Sequence, residues 1–174
     1  ATIKNNDEES VWNLTTGRQA TVENARKAAD MGVDMIVLTG NPGVGVDNEA
    51  IMQALSKLKD AVGDRVILTA GKMHASGIIS EAGEKILTEK DIVDFLDAGT
   101  DVILLPAPGT VPGITMEYAG KLIKKAHEKG ALAMTTIGTS QEGADEDTIR
   151  QIALMCKMAG ADIHHIGDSG YMGM

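Results

Sequence analysis

The sequence predicts an α/β protein in which repeated βα units build a parallel sheet. Five glycines recur at spacings of 31, 36, 31 and 30 residues, and each stands between a helical pattern and a short apolar run. Glycine commonly ends a helix because it tolerates the left-handed conformation. The runs are apolar throughout, which is typical of strands that are covered on both faces. The glycines are Gly32, Gly63, Gly99, Gly130 and Gly160.

The predicted strands are the apolar runs at 33–38, 65–69, 101–105, 131–135 and 162–166. Asp34, Asp101 and Asp162 stand near strand starts, opposite the end where parallel βα folds carry their chemistry. We therefore expect these three aspartates to be structural. Residues 1–16 are polar and carry no strong pattern, so we assign them to an N-terminal segment and 17–174 to the βα-repeat domain.

Each predicted helix begins at a residue whose side chain can cap its first turn. These residues are Thr21, Asp47 or Asn48, Thr88, Thr115 and Asp145. Thr88 and Asp91 resemble a capping box. Apolar residues at helical spacing predict each buried face, and in the first helix these are Ala25, Ala28, Ala29 and Met31.

Composition excludes several classes of function. The 174-residue chain has a net charge of −9, no basic run and only 2% aromatic residues, so nucleic acid is not expected as a partner. No run approaches the ~18 apolar residues that a membrane span requires. The single cysteine, Cys156, excludes an internal disulfide and favours a reducing cytoplasm, and we expect it in the core.

Two architectures fit five βα units. An open five-stranded parallel α/β sheet is favoured by counting alone, and it normally concentrates its site at one switch point. A TIM (β/α)8 barrel, partial in this chain, collects all its loops around one mouth. The barrel is favoured because every loop that follows a predicted strand is rich in special residues.

The second and fifth strands are followed by candidate catalytic residues. Lys72 could bind an anionic substrate or form an imine, and His74 could transfer protons near neutral pH. His164 and His165 are adjacent in one strand, so only one of them can reach the lumen. Asp168 could orient a histidine, act as a base or hold a metal.

Other loops contain groups that suit an anion or a metal ion. Glycines and small hydroxyl residues before a helix can expose N–H groups to phosphate oxygens. The predicted substrate- or phosphate-binding residues are Asn41, Gly43, Gly138, Thr139, Ser140, Gly167, Ser169 and Gly170. Asp168 and Glu142 are candidate ligands for a divalent metal such as Mg²⁺ or Mn²⁺. We also expect residues 78–87 to form a mobile lid and the proline-rich loop at 105–113 to be a rigid wall.

Five of these segments together resemble a family of uncharacterised bacterial proteins that are expected to be TIM barrels. The segments are 38–43, 70–75, 104–115, 137–144 and 164–168, and the resemblance covers roughly residues 17–174. It implies the last five of eight βα units, with three strands before residue 1 and the last helix after Met174. The chain also starts at Ala1 and stops after a glycine-rich loop, so we expect a fragment.

The resemblance brings no established reaction, so it transfers no catalytic role. Automated labels often call such proteins haloacid-dehalogenase-like hydrolases. The run 34–38 lacks the second aspartate of that nucleophile motif, and we discount the label. The resemblance does imply that the loops after the fourth and fifth predicted strands bind phosphate, as the last two loops often do in such barrels.

The leading hypothesis is a cytoplasmic enzyme of the lyase, aldolase or isomerase type that acts on a small phosphorylated or carboxylated metabolite. One alternative is metal-assisted hydrolysis that uses Asp168, Glu142 and a histidine. Another is a non-catalytic ligand-binding or assembly protein with a degenerate barrel. A partial barrel would expose an apolar sheet edge, so we also expect self-association into a homo-oligomer.

Overall fold

A computed structural model of the chain describes residues 16–41, 46–74, 79–137 and 145–166. The five helices are α1 (Val22–Asp30), α2 (Asn48–Val62), α3 (Glu89–Asp97), α4 (Met116–Glu128) and α5 (Glu146–Ala159). The five strands are β1 (Met35–Thr39), β2 (Ile67–Gly71), β3 (Val102–Pro106), β4 (Leu132–Ile137) and β5 (Ile163–Ile166). Short 3₁₀ helices lie at Thr16–Arg18, Ile79–Glu81 and Gly83–Ile86.

The five described strands form one parallel sheet in the order β1-β2-β3-β4-β5. An open doubly wound sheet reverses its strand order at a switch point, whereas this order follows the chain throughout. The sheet curls into a half-barrel, which confirms the prediction of a partial barrel over the open-sheet alternative.

The main core lies between the convex face of the sheet and the helices. Alternate strand residues such as Leu38, Leu68 and Ile103 are no more than 3% exposed and pack in one cluster with the helices. The helices contribute the apolar faces that their spacing predicts, including Ile51, Leu55, Leu58, Ile92, Phe95, Leu122 and Ile123. The packing of the helices against the sheet fixes where the last residue of each strand lies.

The concave face does not match the expectation that both faces of the strands are covered. Val102, Leu104 and Met134 form a small cluster there. On the same face, Val37 and Ile67 are each 44% exposed and Leu132 is 49% exposed. The prediction is wrong for this face because the described residues leave these three side chains partly uncovered.

All five helices begin at the predicted capping residues. The side chains of Thr21, Asp47, Thr115 and Asp145 each accept a hydrogen bond from a backbone N–H in the first turn. Thr88 and Asp91 make a reciprocal capping box. The buried face of α1 is wrong at one position: Met31 is 84% exposed, because α1 ends at Asp30 and Met31 only caps it.

The glycines that end the helices behave as predicted at four of five positions. Gly32, Gly99, Gly130 and Gly160 have φ between 81° and 108°. Gly63 has φ −68° and stays right-handed, so the prediction is wrong there. The turn continues after Gly63, since Arg65 and Val66 both donate to the Val62 carbonyl. A longer connection to β2 thus replaces the left-handed reversal.

Three further predictions concern Cys156, the aspartates at the strand starts and membrane-spanning helices. Cys156 is fully buried in α5, which confirms its assignment to the core. Asp101 and Asp162 bond to the backbone of a neighbouring strand, which confirms their structural role. Within the described ranges, no helix is long and apolar enough to cross a membrane.

Candidate functional site

Lys72 lies at the carboxyl end of β2, and its side chain is almost fully buried. The residue is only 3% exposed. Its stem lies against the backbone of Gly40, next to Ile51 in the first turn of α2. Lysine is rarely buried without a partner, and Lys72 does have a polar or ionic interaction. The structure therefore buries the stem of this lysine at the carboxyl end of β2, against Gly40.

His74 and Asn41 lie in the same two loops. Both are half-buried, and each makes at least one polar interaction. The Asn41 N–H donates to the Val46 carbonyl and the Val46 N–H donates back, both at 3.0 Å. This two-residue bridge anchors both ends of the loop above β1. Lys72, His74 and Asn41 are thus brought to one end of the sheet.

The register of β4 and β5 separates the two adjacent histidines, as their adjacency requires. Thr135 pairs with His164, and the Thr135 Oγ1 lies 3.0 Å from His164 Nδ1. Thr135 stands two residues before Ile137, which packs against Ile152 and Cys156 of α5, so Thr135 and His164 lie on the helix side of the sheet. Burial raises the pKa of the Cys156 thiol, although hydrogen bonding to Thr135 acts in the opposite direction.

His165 occupies the concave face. It pairs with Thr136 in the register, while Met134 and Ile163, two positions earlier, belong to the concave cluster. His165 is exposed. Of the two histidines, His165 is therefore the one whose strand position faces the lumen.

The remaining predicted site residues lie outside the described ranges. They are Gly43, Gly138, Thr139, Ser140, Glu142, Gly167, Asp168, Ser169 and Gly170. The phosphate-binding and metal-ligand predictions therefore stay predictions. Across 16–41, 46–74, 79–137 and 145–166, no group of three or more His, Cys, Asp or Glu residues could hold a metal ion.

Sequence reasoning missed two polar positions on the concave face. Thr69 in β2 is fully buried, and its Oγ1 has no hydrogen-bond partner among the described residues. Thr136 in β4 is 2% exposed and donates to the Leu105 carbonyl at 3.2 Å. Thr69 and Thr136 lie in strands that the sequence predicts from apolar residues alone, so only the strand register shows that both face the concave side.

The expected lid is anchored over its second half. Ile86 and Leu87 are fully buried. The hydroxyl of Tyr118 in α4 lies 2.9 Å from the Glu84 carbonyl and 3.0 Å from the Leu87 carbonyl. These contacts fix residues 84–87 to α4, so the lid interpretation is wrong for this part of the segment.

The proline-rich loop after β3 packs against the segment at Gly83 on one side and borders α5 on the other. Gly113 packs closely on Gly83, since a Cβ at Gly113 would lie 3.2 Å from the Gly83 Cα. On its other side the loop borders an open groove of about 720 Å³ against Met155 and Met158 of α5. The groove lining does not include Lys72, so it is separate from the candidate site.

The fold resembles several solved aldolase and lyase structures. An archaeal fructose-1,6-bisphosphate aldolase, with its catalytic lysine covalently bound to the carbinolamine intermediate, aligns with a TM-score of 0.61 and 17% identity over 82% of this chain. The tetrameric deoxyribose phosphate aldolase from Aeropyrum pernix aligns with a TM-score of 0.61 and 20% identity over 88%. Dihydrodipicolinate synthase from Oceanobacillus iheyensis aligns with a TM-score of 0.51 and 15% identity over 88%.

At these identities the likeness shows the fold alone. The chain spans 53, 61 and 62% of the lengths of these three proteins, respectively. No curated protein matches the chain. Residues 2–174 match a domain of unknown function, DUF7916, and the chain therefore belongs to the DUF7916 family.

Proposed function

We propose that this chain forms part of a lyase-type TIM-barrel enzyme, of the aldolase or isomerase kind, that acts on a small phosphorylated or carboxylated metabolite. One observation carries the proposal: Lys72 is 3% exposed at the carboxyl end of a parallel strand. Catalytic groups of βα barrels lie at that end of the strands. A buried lysine that is held in place at the mouth is suited to bind an anion or attack a carbonyl.

In the imine version, the Lys72 ammonium gives a proton to a neighbouring base, and its Nζ then adds to the substrate carbonyl carbon to give a carbinolamine. Loss of water then gives an iminium ion, which accepts the electron pair released when the neighbouring C–C or C–H bond breaks. His74 would carry protons because it follows Lys72 by two residues, and His165 would be the second proton carrier because it stands near the same carboxyl end of the sheet. Water then releases the product and restores the amine.

Further support comes from the solved structures with this fold. One of them is described with its catalytic lysine bound to a carbinolamine intermediate. Another is a tetrameric deoxyribose phosphate aldolase, and we include self-association in the proposal for this chain. Sedimentation analysis of the full chain over a range of concentrations tests the assembly, and a monomer at every concentration would remove that part.

The imine version is tested by borohydride trapping with pyruvate, glycolaldehyde and dihydroxyacetone phosphate. We expect a carbonyl-dependent mass increase on the peptide that contains Lys72, and none in Lys72→Arg, which keeps the charge. Trapping spread equally over exposed lysines, or no trapping at all, would reject the imine and leave Lys72 as an electrostatic group.

The anion-binding version is tested by thermal shift with phosphate, sugar phosphates and small keto acids, each with and without Mg²⁺ or Mn²⁺. A ligand that binds the folded state raises the melting temperature by mass action. We expect a rise that Lys72→Ala abolishes. A cooperative melt that no ligand shifts, together with no trapping, would favour the non-catalytic assembly alternative.

A further inference from the structure

Gly40 and Lys72 are neighbours across two adjacent strands. Gly40 directly follows β1, and its N–H donates to the carbonyl of Gly71 at 2.9 Å. Gly71 in turn directly precedes Lys72. This bond fixes the backbone of the first loop beside the backbone that carries the lysine, at the mouth end of the sheet.

The stem of Lys72 occupies the space that a side chain at Gly40 would need. A Cβ built on Gly40 would lie 2.7 Å from Lys72 Cγ and 3.2 Å from Lys72 Cε. It would also lie 3.3 Å from Ile51 Cδ1. Carbon atoms in favourable contact are about 3.5–4.0 Å apart. The space over the bare Cα of Gly40 therefore forms a slot that the Lys72 stem occupies and that Ile51 Cδ1 borders.

The backbone of Gly40 does not itself require glycine. Its φ lies outside the left-handed region, so an alanine at this position meets no backbone penalty. Glycine at this buried position therefore matters because it leaves space beside its Cα, and the stem of Lys72 fills that space.

We propose that Gly40 is a positioning residue for Lys72, which holds the stem in the slot and so sets where the ammonium group emerges. The inference rests on the proposed function, in which Lys72 is the reactive or anion-binding group. A methyl group at Gly40 would push Cγ and Cε outward and release the lysine from its buried path.

The first test compares Gly40→Ala with Gly17→Ala, a control glycine that has no described atom within 4 Å of its built Cβ and no left-handed φ. Acetic anhydride labels the folded chain, and mass spectrometry gives the acetylation of Lys72 relative to exposed Lys57. We expect this ratio to rise several-fold in Gly40→Ala and to stay unchanged in Gly17→Ala. An unchanged ratio in a cooperatively folded Gly40→Ala protein would overturn the proposal.

A second readout follows the lysine directly. The ε-methylene signal of Lys72 in a ¹H–¹³C spectrum is assigned by its loss in Lys72→Arg. We expect the chemical shift of this signal to change in Gly40→Ala and to stay the same in Gly17→Ala. A general loss of stability would not change the shift of the Lys72 signal selectively. The acetylation and NMR measurements do not need a carbonyl substrate. If they detect the effect of Gly40→Ala while borohydride trapping fails, the imine is rejected and the positioning role of Gly40 stands.

A comparison of melting temperatures tests the same contact between Gly40 and Lys72 even if Gly40→Ala folds poorly. Lys72→Ala removes the atoms that a methyl group at Gly40 would meet. We expect Gly40→Ala to lower the melting temperature in the wild-type background and to lower it much less in the Lys72→Ala background. An equal loss in both backgrounds would show that the methyl group disturbs something other than the lysine.

Discussion

The backbone and the side chain of Asp101 both bond to Leu68 in the neighbouring strand. Asp101 Oδ2 accepts from the Leu68 N–H at 2.9 Å, and the Asp101 N–H donates to the Leu68 carbonyl at 2.8 Å. Asp162 repeats the arrangement with Ala133, at 2.8 Å and 3.0 Å. Each aspartate thus ties the start of its own strand to the second residue of the preceding strand, at the end of the sheet opposite the mouth.

Asp101→Ala should lower the free energy of unfolding by about 1–3 kcal/mol, because the part-buried Leu68 N–H loses its side-chain partner. Urea denaturation measures the change. Asp34→Ala is the matched control at the start of β1, since its carboxylate has no hydrogen bond or ion pair with a described residue. We expect the control to change stability by less than about 0.5 kcal/mol. Equal losses in the two variants would show that the hydrogen bonds of the Asp101 carboxylate, which accepts from the Leu68 N–H and from Lys59 Nζ, add no stability.

Asp162 should make stability depend on pH in the acid range. Burial acts to raise its pKa, but the bonds from His127 and the Ala133 N–H outweigh burial and hold the pKa of Asp162 below its ordinary value. A carboxylate with a depressed pKa stabilises the fold above its unfolded pKa, and that contribution is lost as the pH falls through the folded value. We expect the loss below about pH 4.

Acid titration of the folded chain, followed by circular dichroism, measures this dependence. Asp162→Asn keeps the size of the side chain and removes its titration. We expect this variant to be less stable at neutral pH and to lose less additional stability on acidification. A variant whose acid-unfolding curve keeps the wild-type steepness would assign the effect to other carboxylates.

Gly71→Ala should prevent normal closure of the sheet at the site. A Cβ at Gly71 would lie 1.7 Å from the Leu104 carbonyl oxygen. That oxygen belongs to the backbone of the adjacent strand, so it cannot move aside as the end of a flexible side chain could. Overpacking typically costs about 1–3 kcal/mol, and we expect a loss at or above the top of that range. Thermal melting and soluble yield are the measurements.

Gly120→Ala is the control for that prediction, and it should act in the opposite direction. Its Cβ would meet only ordinary contacts, the nearest being the Ala159 carbonyl oxygen at 3.5 Å. Alanine in place of glycine inside a helix stabilises by roughly 0.5–1 kcal/mol. If Gly71→Ala melted like the wild type, the close approach of β2 to β3 at Gly71 would be refuted.

Tyr118→Phe should loosen residues 84–87 without unfolding the core. The variant removes the hydroxyl that lies within 3.0 Å of the Glu84 and Leu87 carbonyls. The expected loss is about 0.5–1.5 kcal/mol. Hydrogen exchange should rise in this segment and stay unchanged in β3. Uniform exchange across both regions would contradict a local anchoring role.

Alkaline pH should reproduce part of that effect in the wild type. Burial, helped by the nearby Glu84, raises the pKa of Tyr118 above its ordinary value. The protonated hydroxyl therefore stabilises the fold below its unfolded pKa, and the contribution disappears as the pH rises through the folded value. Tyr118→Phe should lack this alkaline component, which hydrogen exchange at several pH values can detect.

Much of the fold could be predicted because its determinants are local in the chain. Each of the five helices starts at a residue whose side chain accepts a hydrogen bond from the backbone N–H three residues later, as at Thr21 and Asp145. The strands were found, although most of them begin and end one or two residues later than the apolar runs suggest. The prediction that Gly63 is left-handed was wrong because its conformation depends on the length of the connection to β2, which the glycine alone does not reveal.

The candidate site was predictable only in outline. The sequence placed Lys72 and His74 after a strand, and it required His164 and His165 to face opposite ways. It could not say that His165 faces the lumen, because that depends on the register between β4 and β5. It also gave no sign of the exposed concave residues such as Val37, because a strand's apolar content does not tell what packs on it.

The sequence by itself determined the βα repeat, the helix caps and the end of the sheet at which Lys72 stands, because these follow from local propensity and chain direction. Only the tertiary structure decided that the lysine stem lies on Gly40, 32 residues away in the sequence. It also decided that Asp101 reaches Leu68. Contacts of this kind depend on how neighbouring strands align, and alignment is set by the packing of the whole layer of helices against the sheet.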